Sequence, residues 1–173
     1  DGEVDHRVAE KCSSAEAVAA ACFDGDVVRA DVAAAGAVAP LTKMLAEGTA
    51  AQKESAVHAL CILALNNPMH YAYDNPAAIV LAGAIPPLVA LLSSSSSSAR
   101  QKELAASCVC NLATTTVHRT AIAQAGALAP LLSLVSSGTD AQAANAAFAL
   151  GSLAFSHAEN RKALVGEKAA DAF

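Results

Sequence analysis

Three heptapeptides decide how this chain folds: AGAVAPL at Ala35–Leu41, AGAIPPL at Ala82–Leu88 and AGALAPL at Ala125–Leu131. Their glycines, Gly36, Gly83 and Gly126, are 47 and 43 residues apart. Glycine supplies the positive φ that ends a short helix. The proline four residues later fits the first turn of the next helix, where its missing N–H costs no hydrogen bond. Each heptapeptide therefore reads as a sharp corner between two helices. Downstream of each corner comes an apolar segment (LTKML, LVALL, LLSLV), then a small polar link (AEGTA, SSSSSSA, SSGTD). A longer Ala-rich segment follows, ending in Leu63-Ala64, Leu112-Ala113 and Leu153-Ala154. A three-part unit thus recurs along the chain.

Helical periodicity places Ala56, Leu60, Leu63 and Ala64 on one face of the third segment, with Ala105, Val109, Leu112 and Ala113 and then Ala146, Leu150, Leu153 and Ala154 at equivalent places. That face is expected to be core. Val32, Ile79 and Ile122 each stand four residues before a corner glycine, and Arg29, Pro76 and Arg119 seven before. The register gives units over 29–75, 76–117 and 118–160, with a helical flank or partial unit over 1–28. NRKAL at Asn160–Leu164 begins another unit over 161–173, divergent or capping, because Lys168 stands where a glycine is due.

Composition agrees with helices. Of 173 residues, 45 are alanine, and 54% are hydrophobic against 3% aromatic with no Trp. Alanine is the best helix former and is depleted in strands, so the expected fold class is all-α. With 11 basic against 16 acidic residues, and the basic ones dispersed (Lys53, Arg100, Lys102, Arg119, Arg161, Lys162), the chain lacks the positive field that nucleic acid requires. These cations read as solvated helix surface. Cys12, Cys22, Cys61, Cys108 and Cys110 are odd in number and mostly within apolar runs, which fits buried free thiols and a reducing compartment such as cytoplasm or nucleus. Cys108 and Cys110 lack a second ligand pair at zinc spacing, so no metal or other cofactor is expected. The uncharged stretch from Asn75 to Ala99 is divided by Pro86 and Pro87 and reads as two short buried helices, with no membrane span. The run Ser93–Ser98 reads as a flexible link.

A unit of about 42 residues with an AGA(V/I/L)xPL corner and an "ALxNLA"-like third helix resembles the armadillo repeat. HEAT repeats are two-helix units without this corner. The resemblance covers about Arg29 to Asn160. It implies a right-handed α-solenoid of three-helix repeats whose third helices line a concave groove that holds protein partners. It also implies that an Asn near the end of a third helix bonds the backbone of the bound partner, since an amide offers donor and acceptor together. Asn111, in CNLA, matches that Asn, and Ile62 and Ser152 take the equivalent places. Four residues earlier, where nuclear-import receptors of the family carry Trp, stand His58, Ser107 and Phe148, so a Trp–Asn ladder is absent. Asn111 either bonds neighbouring helix carbonyls or reaches a partner, and Phe148 either packs or anchors one.

The first unit carries about six extra residues between Ala64 and Gly83, within NNPMHYAYDNP, over the inserted loop 66–76. Met69, His70, Tyr71 and Tyr73 there form a second candidate contact, because amphipathic aromatics on surface loops favour interfaces. No GxSxG, GxxxxGKS or HExxH motif occurs, and the five histidines are dispersed, with His118 and His157 at interhelix junctions where exposure is expected. The expected function is non-catalytic: a scaffold that binds a protein partner, free or within a large complex. The alternatives are an accessory subunit of a permanent assembly, or the recognition part of a longer enzyme such as a ubiquitin ligase.

Overall fold

The computed structural model describes residues 14–22, 26–65 and 74–170. Every regular element among them is helical: α1 (14–22), α2 (Asp26–Ala34), α3 (Val38–Glu47), α4 (Ala50–Leu63), α5 (Asn75–Leu81), α6 (Ile85–Ser93), α7 (Ala99–Leu112), α8 (Thr116–Gln124), α9 (Leu128–Ser137), α10 (Asp140–Ala154) and α11 (Ala158–Ala170). They form an all-α solenoid of armadillo-type helix triplets, α2–α4, α5–α7 and α8–α10.

The corners are built alike. Gly36, Gly83 and Gly126 have φ of 90°, 83° and 86°, a left-handed conformation that β-carbon sterics disfavour in other residues. At each corner the N–H of the following alanine reaches back five residues, to the carbonyl of Val32, Ile79 or Ile122, at 3.3 Å every time. This is the long bond of a Schellman motif. The helices it joins bend by 80° at the second corner and 79° at the third, so one local sequence produces one rotation. Among the described residues no single helix is long and apolar enough to cross a membrane.

Third helices stack on one another, α7 lying between α4 and α10, and their apolar faces make the core. Leu60, Leu63, Leu112 and Leu153 are completely buried, as are Ile79 and Ile122 from the first helices, while Leu150, Ala154 and Val32 are half-buried at the margin. Small side chains let the backbones approach: Ala56, Ala105 and Ala146 occupy the same buried place in successive units.

A capping box starts each third helix. Thr49, Ser98 and Thr139 accept from the N–H of Gln52, Gln101 and Gln142, and each glutamine Oε1 accepts from the cap residue's N–H. Two of these glutamines also tie neighbouring units together. Gln101 Nε2 donates to the Ala50 carbonyl at 2.7 Å, and Gln142 Nε2 to that of Ala99 at 3.0 Å. The serine run, expected as a flexible link, is instead partly structural: Ser93 closes α6 and Ser98 caps α7, leaving only a short turn between them.

Candidate functional site: the third-helix face

The ends of the third helices are sealed by residues of the next unit. The last four carbonyls of α4 would be orphaned by helix geometry. Leu60 O accepts from Ala64 N–H, Ile62 O from Leu65 N–H, Leu63 O from Asn75 Nδ2 at 3.2 Å, and Cys61 O from Asn111 Nδ2 at 3.1 Å. The same leucine carbonyl of the later helices meets His118 Nδ1 (Leu112 O, 3.1 Å) and Asn160 Nδ2 (Leu153 O, 2.9 Å). His118 Nδ1 also lies 3.1 Å from Thr114 Oγ1, so the ring joins that hydroxyl and the Leu112 carbonyl at the end of α7. Arg29, Arg119 and Arg161 donate to the carbonyls of Cys22, Ala113 and Ala154 in the same way.

Two sequence expectations are corrected here. His118 and His157 are buried, at 7% and 8% exposure, because each has a hydrogen-bonding task at a junction. His157 Nδ1 accepts the Asn160 N–H at the start of α11, and its Nε2 lies 2.8 Å from Thr120 Oγ1. The Thr120 hydroxyl donates to Thr116 O, which leaves its oxygen to accept from Nε2–H. Arg119, expected as solvated surface, is likewise drawn in by the carbonyls it serves. It donates Nε to Ala113 O and Nη2 to Thr114 O, and its guanidinium lies 5.5 Å from the Phe155 ring centre.

Between these joints runs the column of candidate contact residues. Asn111 is half-buried and leans on α4 through its bond to Cys61 O. Nδ2 also reaches Cys61 Sγ at 3.6 Å, while the side-chain carbonyl oxygen makes no hydrogen bond to a described residue, so internal bonding and partner contact are compatible. Ser152, one unit on, meets Cys110 Sγ at 3.3 Å, and Ser107 Oγ accepts from Cys61 Sγ, also at 3.3 Å. Ile62 is only 7% exposed and belongs to the core, so it offers a partner little surface. His58 is half-buried on the wall of a hollow of about 480 Å³ that also holds Glu16, Glu54, Ser55 and Arg100. Glu54 accepts from Ser98 and Glu16 from Ser55, and Arg100 is paired with Glu103 at 2.6 Å. Phe148 is 71% exposed and does not pack into the core. Met69, His70, Tyr71 and Tyr73 lie outside the described residues.

The thiols Cys22, Cys61, Cys108 and Cys110 are free, and Cys12 lies outside the described residues. Burial pushes the Cys61 thiol up, against the hydrogen bonds from Ser107 and Asn111 that favour its thiolate, and burial pushes Cys108 well above the ordinary range. Among the described residues no group of three or more His, Cys, Asp or Glu is placed to hold a metal ion.

Glu16, Glu54, Phe155 and the three cap glutamines are absent from the sequence reading of the site. The glutamines carried a usable signal, a Ser/Thr-x-x-Gln repeated at 49–52, 98–101 and 139–142.

An armadillo/beta-catenin-like repeat model matches residues 73–114, the second unit with its corner and Asn111. No curated protein sequence matches the chain. Solved structures match over nearly all of it. One designed armadillo repeat protein is 25% identical with a TM-score of 0.81, over 91% of this chain and 64% of its own length. A computationally designed armadillo protein for modular peptide recognition is 23% identical (TM-score 0.81, covering 94% of this chain and 70% of its own). A third design, solved in complex with the peptide (KR)4, is 23% identical (TM-score 0.79, covering 93% and 69%). The chain thus spans about two thirds of the length of these proteins, and just under that of the first. It carries one unit that matches the armadillo/beta-catenin-like repeat, within a stack of corners and third helices that shares the fold of armadillo repeat proteins.

Proposed function

We propose that the chain is a protein-binding scaffold that holds an extended segment of a partner along the face of α4, α7 and α10, without catalysing a reaction. The observation that carries this reading is the half-used amide of Asn111. It is anchored to α4 through Nδ2, on Cys61 O and more weakly on Cys61 Sγ, and has its carbonyl oxygen left to accept from a peptide N–H that has lost its sheet or helix partner. The designed relative's complex with (KR)4 supports an extended peptide as the kind of ligand. Glu16 and Glu54 at the α1–α4–α7 hollow favour a basic residue at that end of the segment. The loop with Tyr71 and Tyr73 is proposed as a second contact from its sequence alone.

A random 12-residue peptide library selected on the whole chain tests this. Selected peptides should bind Asn111→Ala several-fold more weakly, and backbone N-methylation at one peptide position should mimic that loss. Peptides that are indifferent to Asn111→Ala and shift only NMR signals of α3, α6 and α9 would place recognition on the opposite side of the stack.

A further inference from the structure

Among the described residues the core holds no Phe, Tyr or Trp. The only aromatic residues among those described are Phe148 and Phe155, and both are exposed, at 71% and 67%. They border the same hollow, about 340 Å³, floored by Gly151 and Ser152 and walled by Ala113 and Arg119. Phe148 stands on α10 and Phe155 at its C-cap, about two turns on, so the two phenylalanines border the notch with Gly151 between them.

Comparison of the units shows how the notch arises. The place of Gly151 is taken by Cys61 in α4 and Cys110 in α7, and each of those thiols meets a serine of the next helix. In α10 the thiol is replaced by hydrogen, and a β-carbon built at Gly151 meets nothing within 4 Å. At the same time Ser107 of α7 becomes Phe148. A small residue has replaced a larger one at the floor and a large one a small one at the rim.

The rim is also held in place. Phe155 leaves α10 in an extended conformation with its N–H on Gly151 O at 2.9 Å, and Ser156 after it takes φ of 47°, the only positive φ among described residues other than glycine. Arg119 stacks on Phe155 and is fixed by two backbone carbonyls, while its Nη1 makes no hydrogen bond among the described residues. It is the one ionisable group lining the hollow, so the notch is apolar with a single positive edge.

We propose that this notch is a socket for one large apolar side chain of the partner segment, preferably aromatic, with a carboxylate of the adjoining residue paired to Arg119. The assignment rests on the groove reading above and adds polarity to it: a basic residue at the Glu16–Glu54 end, and an aromatic–acidic pair at the α10 end. Flat apolar walls with exposed rings accept a third ring by offset or edge-to-face contact. The Arg119 charge discriminates between a neighbouring acid and a neighbouring base.

The test uses the whole chain, with NMR signals of the Phe148 and Phe155 rings and Arg119 Nε as readout, and capped dipeptides as probes. N-acetyl-Phe-Asp-amide should produce saturable shifts at all three. N-acetyl-Phe-Lys-amide should bind about two- to fivefold more weakly, the range of an exposed ion pair. N-acetyl-Ala-Asp-amide should not saturate. Gly151→Leu fills the floor with a better helix former, so the fold is kept, and it should abolish saturation. Non-saturating shifts with all three probes, or saturation that survives Gly151→Leu, would overturn the socket. Peptides from the library that need Asn111 but ignore Gly151→Leu would overturn it too, while leaving the groove reading intact. A concentration-dependent dimer by light scattering that Phe148→Ala dissolves would assign the notch to a second copy of this chain instead.

Discussion

The first turn and the middle of each third helix follow opposite rules. At the first turn, α4, α7 and α10 carry the same Ser/Thr-x-x-Gln box with the same hydrogen bonds. Two turns later, the column of candidate contact residues reads His58, Ser107 and Phe148, three unrelated side chains. The first set answers to the backbone, whose orphan N–H groups need the same partners in every unit. The second meets no demand that recurs from unit to unit, although Ser107 accepts from Cys61 Sγ, and so is free to differ. Divergence on a repeating frame is therefore the mark of surface used for something other than holding the stack.

The contrast is sharpest within α10, where it gives the largest expected effect. Leu153 is fully buried and Phe148 largely exposed on the same helix. Leu153→Ala should cost about 2–5 kcal/mol by emptying a packed site. Phe148→Ala should stay within about 0.5 kcal/mol, although the ring is the larger group. Urea unfolding of the two variants checks this, and equal losses would mean that Phe148 belongs to the frame.

Next in size is a comparison among the cap glutamines. Gln101 closes its box and also bonds Ala50 O across the units, whereas Gln52 only closes its box among the described residues. Gln101→Ala should therefore cost about 2–3 kcal/mol, and Gln52→Ala about 1 kcal/mol less. Matching losses would show that the cross-unit bond adds no net stability. Smaller again is Asn111→Ala, which sets Cys61 O free at a half-buried site and should lower stability by about 1 kcal/mol. A far greater loss of peptide affinity than of stability would separate its two tasks.

How much of this was legible without coordinates follows from the range of each signal. The corners were legible because glycine at positive φ and proline in a first turn are local requirements. AGAxxPL contains both, and the measured bends repeat to within a degree. The core face was legible from period alone, down to the buried alanines that let helices approach. The junction residues were not. His118, His157 and Arg119 owe their positions to carbonyls at the end of the preceding helix, and their types alone suggested solvent. Asn111 was found through family resemblance, but its bond to Cys61 O spans 50 residues and shows only in the stack. Phe155 was missed because it stands at the exit from α10, before a left-handed turn at Ser156 that a serine does not announce.

The smallest expected effect concerns a thiol buried inside the frame, and it shows in the pH dependence of stability. Cys108 is fully buried and its pKa is raised well above the ordinary range by desolvation, while Cys110, two residues on, is half-buried. In the unfolded chain a thiol ionises near pH 8.5, whereas in the fold Cys108 keeps its proton. Below that pH both states hold the proton and the thiol contributes fully. Above it the unfolded chain binds fewer protons than the native one, so stability falls as pH rises, with a limiting slope of about 1.4 kcal/mol per pH unit per retained proton. Lysines and other groups titrate in the same range, so the informative quantity is a difference between variants. Cys108→Ala should lose stability at pH 7 through its smaller side chain, yet lose about 1 kcal/mol less than the parent chain between pH 8.5 and 10. Parallel curves for Cys108→Ala and the parent would mean that its thiol ionises as readily in the stack as in water, and that the α4–α7 interior is wetter than its packing implies.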